Sequence, residues 1–135
     1  MKKVFLGGTC VSNSKWREKL IPMLDKNKIN YFNPIVKVWN DEARKREIYE
    51  RENDDYVLYV ISRPYSTYSI AEATDDSNKR PKQTIVCILN EKKEDGSYWM
   101  TKQENRHLNQ VGLLCERNGA KYFTTLEQVA KYLNK

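Results

Sequence analysis

Residues 56–61 read Tyr56-Val57-Leu58-Tyr59-Val60-Ile61, and the chain continues Ser62-Arg63-Pro64-Tyr65-Ser66-Thr67-Tyr68-Ser69-Ile70-Ala71-Glu72. The first segment is aliphatic or aromatic at every position, with no polar alternation, as expected of a strand covered on both faces. Pro64 and the hydroxyl-rich residues after it form a loop, and a helix is predicted from Ser69 to about Lys79. A doubly covered strand running into a helix is one unit of a parallel sheet.

Working outward gives the same alternation. Upstream, Lys2 to Leu6 is a short strand that stops at Gly7-Gly8, and Ser14 can cap a helix to about Lys26, with Trp16, Leu20, Met23 and Leu24 on one face. Tyr31-Phe32 is a short strand stopped by Asn33-Pro34, and Asn40 or Asp41 opens a charged helix to about Glu52. Downstream, Thr84 to Leu89 is a second buried strand, and Glu91 to Tyr98, with Asp95-Gly96, is a loop. Lys102 to Asn118 is a helix with Gly119 as its C-cap, Lys121-Tyr122-Phe123 is a last strand, and Thr124-x-x-Glu127 is a capping box for the terminal helix. One α/β domain over residues 1–135 is therefore expected: a five-stranded parallel sheet, order 2-1-3-4-5, with helices on both faces and ligands beyond the carboxyl ends of the strands.

The chain has 135 residues and a net charge of +6, but the basic residues are not gathered on one element. Residues 29–77 carry six basic and ten acidic side chains, so the middle third is acidic. Within it, Asp41/Lys45, Glu42/Arg46 and Glu47/Arg51 have helical i,i+4 spacing, which describes a solvated helix face rather than a nucleic-acid patch. Cys10, Cys87 and Cys115 form no C-x-x-C pair, and His107 is the only histidine, so no disulfide framework, metal site or metal cofactor is indicated. The apolar part of the N-terminus, Val4-Phe5-Leu6, is too short for a signal peptide, and no run reaches membrane-spanning length. A cytoplasmic protein without membrane partners is expected.

Three strand-end loops are candidates for chemistry: Gly7-Gly8-Thr9, Asn33-Pro34 and Ser62 to Ser69. Glycines allow close backbone approach, and a helix start offers free N–H groups. Glu72 falls in the first turn of the predicted helix, where the positive helix end would hold it ionised, as a nucleophile requires. The same Ser69-x-x-Glu72 spacing also fits a capping box in which Glu72 bonds only to backbone.

The segments Phe5-Leu6-Gly7-Gly8-Thr9, Ser14-Lys15-Trp16-Arg17, Tyr31-Phe32-Asn33-Pro34 with Trp39-Asn40, Tyr68-Ser69-Ile70-Ala71-Glu72 and Lys79-Arg80-Pro81 resemble, in order, the nucleoside 2-deoxyribosyltransferase-like family. The likeness continues to Asn118-Gly119-Ala120 and Thr125-Leu126-Glu127. It implies a flavodoxin-like three-layer sandwich, Glu72 as the nucleophile on a 2-deoxyribonucleoside or its 5′-phosphate, and a covalent deoxyribosyl-enzyme that passes the sugar to a nucleobase or water. Glu47 would be the general acid facing the base. Gly7, Gly8, Thr9, Asn33, Ser66, Tyr68 and Ser69 would surround the substrate, and Trp39, Phe32 or Trp16 would stack on the base or belong to the core. Relatives often complete their sites with a neighbouring subunit, which implies a homo-oligomer. Ser66 stands where the family's loop usually has glycine, and Phe5 where some relatives have a tyrosine bonded to the nucleophile. A non-catalytic or NAD-type binding domain of the same fold is the alternative.

Overall fold

The computed structural model describes residues 2–135. Its elements are β1 (Lys3–Gly8), α1 (Trp16–Lys26), β2 (Asn30–Phe32), α2 (Asp41–Asn53), β3 (Tyr56–Ile61), α3 (Thr67–Lys79), a 3-10 turn (Pro81–Gln83), β4 (Thr84–Ile88), α4 (Lys102–Arg117), β5 (Lys121–Phe123) and α5 (Leu126–Leu133). The five strands are all parallel, in the order β2-β1-β3-β4-β5. This is the predicted flavodoxin-like sandwich.

β3 lies in the middle of the sheet, and its alternating side chains feed two cores. Leu58 and Val60 pack with Leu20 and Leu24 of α1 and Val129 and Leu133 of α5, whereas Val57, Tyr59 and Ile61 pack with Ala73 of α3 and Leu108 and Cys115 of α4. Each such aliphatic side chain, fully buried, contributes about 1.5–3 kcal/mol. That is why an unbroken apolar hexapeptide occupies the central strand.

α2 differs from the other helices. Its one buried residue is Glu50, which pairs with Lys3 of β1, while Ile48 and Tyr49 are exposed. Charge and capping hold it, with Asn40 accepting from the Ala43 amide at 2.8 Å. The three expected i,i+4 pairs do not form. Arg46 pairs instead with Glu50, and Arg51 reaches Glu72, Asp75 and Asp76 on α3.

Several predicted boundaries move. β1 runs through Gly7 and Gly8 instead of stopping before them. A β-carbon on Gly8, where φ is +124°, would stand 2.1 Å from the Val60 carbonyl oxygen, so glycine is required for the two strands to meet. Ser14 does not cap α1; its hydroxyl bonds Ser62 and Glu91. α3 begins at Thr67 with Ser66 as N-cap, so the Ser69/Glu72 capping box is not made. The final capping box lies one residue later than expected, Thr125 with Gln128, because Leu126 must face the core. No helix among the described residues is long and apolar enough to cross a membrane.

Candidate active site

β1 has β2 on one side and β3 on the other, so the chain's crossovers diverge at the carboxyl ends of β1 and β3 and leave a crevice there. A cleft of about 340 Å³ occupies it. Gly7, Gly8 and Phe5 line it from β1, Arg17 from α1, Glu47 from α2, and Tyr68, Ser69 and Glu72 from α3. Pro34, Ile35, Val36 and Trp39, from the segment between β2 and α2, supply an apolar wall. Gly7 matters here for its missing side chain, since a β-carbon would meet the Tyr59 ring at 2.8 Å.

Glu72 sits in the second turn of α3, beyond the reach of the helix N-terminus. Small residues on the same face, Ala73 and Ser77, bring this helix close to the sheet and leave Glu72 only 9% exposed. Burial pushes its carboxyl up to about 7; the Arg51 guanidinium opposes this, and the negative charges of Glu47 and Asp76 add to it. The expectation that a helix end holds Glu72 ionised is thus overturned. Its charge is set by burial and by Arg51, whose Nε lies 3.4 Å from Glu72 Oε2. Glu47 is also raised, first by burial, with Arg17 and Arg51 working against the rise. Two carboxyls of elevated pKa from different helices therefore share one cleft.

A second cleft, of about 330 Å³, adjoins the first at Gly8, Cys10, Tyr68 and Ser69. Thr9, Ser66 and Thr67 line it at the start of α3. The Thr9 hydroxyl accepts from the Ser62 amide at 2.9 Å and meets the Ser66 hydroxyl at 2.7 Å, tying the loops after β1 and β3 together. Ser66 thus has a structural partner in Thr9.

Among the sequence candidates, Gly7, Gly8, Glu47, Trp39, Tyr68, Ser69 and Glu72 come together on the first cleft, and Thr9 and Ser66 on the second. Asn33 lines neither. Its side-chain oxygen accepts from the Ile35 amide in a turn, and Pro34 and Ile35 face the cleft in its place. Trp16 is fully buried, with its indole N–H donated to the Thr9 carbonyl, so it is core rather than a stacking platform. Phe32 packs against Phe5, whereas Trp39 is 58% exposed beside the cleft. Sequence reasoning missed Ile35 and Val36, which carry no motif, and Arg51, whose spacing from Glu47 pointed to a surface pair. His107 is exposed on α4, and no cluster able to hold a metal ion occurs among the described residues.

A family model described as "Nucleoside 2-deoxyribosyltransferase like" matches residues 1–92, a span that holds every residue lining both clefts. No curated protein and no solved structure matches the chain. The chain belongs to the nucleoside 2-deoxyribosyltransferase-like family.

Proposed function

We propose that this protein cleaves the N-glycosidic bond of a 2-deoxyribonucleoside, or of its 5′-phosphate, and passes the sugar to another nucleobase or to water. One juxtaposition carries the reading: Glu72 and Glu47, two carboxyl groups each raised first by burial, border a nucleoside-sized cleft with an apolar wall at Trp39, Ile35 and Val36. Like charges in one site favour the singly protonated pair, and a nucleophile with an acid needs that combination.

In the first step a Glu72 carboxylate oxygen attacks C1′ of the sugar. The C1′–N bond breaks through an oxocarbenium-like transition state, its electron pair stays on the base, and Glu47 protonates that base. The product is a deoxyribosyl ester on Glu72. In the second step a base nitrogen or water, losing its proton to Glu47, attacks C1′ and releases the Glu72 carboxylate. Two inversions give net retention. The cleft beside Ser69, at the start of the thirteen-residue α3, favours a substrate extended by a 5′-phosphate, because free helix N–H groups there can donate to its oxygens.

Incubation with deoxyinosine and free adenine tests the proposal. Deoxyadenosine signals transfer, and hypoxanthine with free deoxyribose signals hydrolysis. A deoxyribosyl adduct on the Glu72 peptide, absent in Glu72→Gln, identifies the nucleophile by mass spectrometry. If deoxyinosine and its 5′-phosphate both remain intact, the proposal fails.

A further inference from the structure

The Arg51 guanidinium is held by groups outside the cleft and points one contact toward it. Arg51 Nε lies 2.9 Å from Tyr59 Oη, 3.1 Å from Asp76 Oδ2 and 3.4 Å from Glu72 Oε2, and Nη2 lies 3.2 Å from Asp75 Oδ2. Asp76 is fully buried; it accepts from the Tyr59 hydroxyl at 2.6 Å and from Arg80 Nε at 3.1 Å. The Tyr59 ring is wedged under Gly7 and edge-on to Phe5. Strand β3, helix α3 and the floor of the cleft therefore converge on one cation of α2.

Glu72 and Asp76 are one helical turn apart on the buried face of α3, an arrangement in which two carboxylates repel. The charged and titratable groups around Glu72 are Glu47 and Arg51 from α2, Asp76 from its own helix, Tyr59 from β3 and Arg17 from α1 across the cleft. Among the described residues, Arg51 is the one cation within 4 Å of its carboxylate. Removing that cation leaves Glu72 facing Glu47 and Asp76 in a buried setting.

We propose that Arg51 is a positioning residue for Glu72: clamped by Tyr59 and Asp76, its guanidinium orients the Glu72 carboxylate and favours its ionised form against burial and the neighbouring carboxylates. The consequence for turnover rests on Glu72 being the nucleophile; the consequence for its ionisation does not. All three contacts run through Nε, whose single hydrogen is directed at Tyr59 and Asp76, so Glu72 meets a held positive charge rather than a hydrogen-bond donor; a lysine ammonium restores the charge without that placement.

The test is a carbon-13 NMR titration of the Glu72 carboxyl, assigned by its loss in Glu72→Gln, alongside kcat/KM against pH. In Arg51→Met the Glu72 midpoint rises by about one pH unit or more, which leaves roughly tenfold less carboxylate at a given pH. Tyr59→Phe keeps every charge and loosens only the clamp; it moves the midpoint the same way by a smaller amount. Arg51→Lys returns the midpoint most of the way toward the wild-type value while kcat stays depressed. If Arg51→Met does not fold, Tyr59→Phe carries the test. A midpoint within about 0.2 pH unit of wild type in either folded variant overturns the proposal, since a neighbouring charge must show in the titration. Shifted midpoints in a protein that turns over no nucleoside would uphold the Arg51 coupling and remove only the proposed reaction.

Discussion

Arg63 Nη1 donates to Glu91 Oε1 at 2.9 Å, and both side chains are almost wholly buried. The pair joins three strand-end loops. Glu91 also accepts from the Ser14 hydroxyl and the Lys15 amide, Arg63 also donates to the Ser62 and Asn13 carbonyls, and the Trp99 ring covers the guanidinium at 4.5 Å. Through Ser62, whose amide donates to the Thr9 hydroxyl, the cluster is tied to the second cleft. Glu91→Ala would leave a buried, uncompensated guanidinium and is expected to cost about 3–5 kcal/mol in a denaturant titration. Burial pushes the Glu91 carboxyl up, but hydrogen bonds from Ser14, Lys15 and Arg63 outweigh it and hold the group below 4.5. The pair's contribution is therefore complete above that pH and fades as pH falls through the lower native value. Glu91→Ala should lack that acid-side loss.

Glu72 behaves in the opposite sense. Its folded pKa is raised from 4.5 to about 7, so the native state holds a proton that the unfolded chain has already released. Its favourable contribution is full below pH 4.5 and is lost as pH rises toward 7. Asp54, raised to about 6 by burial and by Glu50, adds a similar slope. Thermal melts of Glu72→Gln across this window should show a shallower decline than wild type. An identical slope would contradict the raised pKa of this buried carboxyl.

Glu47→Gln separates the two carboxyls by role. It removes the proposed proton donor but keeps the proposed nucleophile, so kcat is expected to fall about 10²- to 10⁴-fold. The loss should shrink for substrates whose base departs easily without protonation. Glu72→Gln should instead abolish adduct formation for every leaving group. Equal losses across a leaving-group series would argue against Glu47 as the acid.

Gly8→Ala tests whether this glycine serves the sheet or the ligand. With φ at +124° and the Val60 backbone 2.1 Å from the added carbon, β1 and β3 must separate. A stability loss of about 3 kcal/mol or more is expected from backbone strain and lost pairing. A folded, fully stable variant with weakened substrate binding would assign Gly8 to the ligand instead.

Much of the site was legible because its framework is periodic. The apolar run Tyr56–Ile61 and the strand-helix alternation locate the crevice, and Glu72 follows the central strand. Arg51 was not legible. Its i,i+4 neighbour Glu47 suggested a local pair, but the Arg51 side chain reaches across to α3, where a buried Asp76 competes for the guanidinium better than a half-exposed glutamate does. Asn33, between substrate and turn, and Trp16, between stacking platform and core, were left open for a related reason. Residue type says that a side chain can bond or stack, not which way its backbone turns it.

The sequence by itself determined the layered parallel sheet and the strand end where ligands gather, since these follow from hydrophobic period and strand-helix alternation; the strand order 2-1-3-4-5 was expected only as the common arrangement for five strands, and the structure has it. Only the tertiary structure decided the charge of Glu72. A helix-end carboxylate was the sequence expectation, but the start of α3 at Thr67 moved Glu72 a turn inward. There burial, Glu47 and Asp76 raise it, and Arg51, far away in sequence but 3.4 Å away in space, holds against them. Ionisation depends on what surrounds a group in three dimensions, and no spacing along the chain records that.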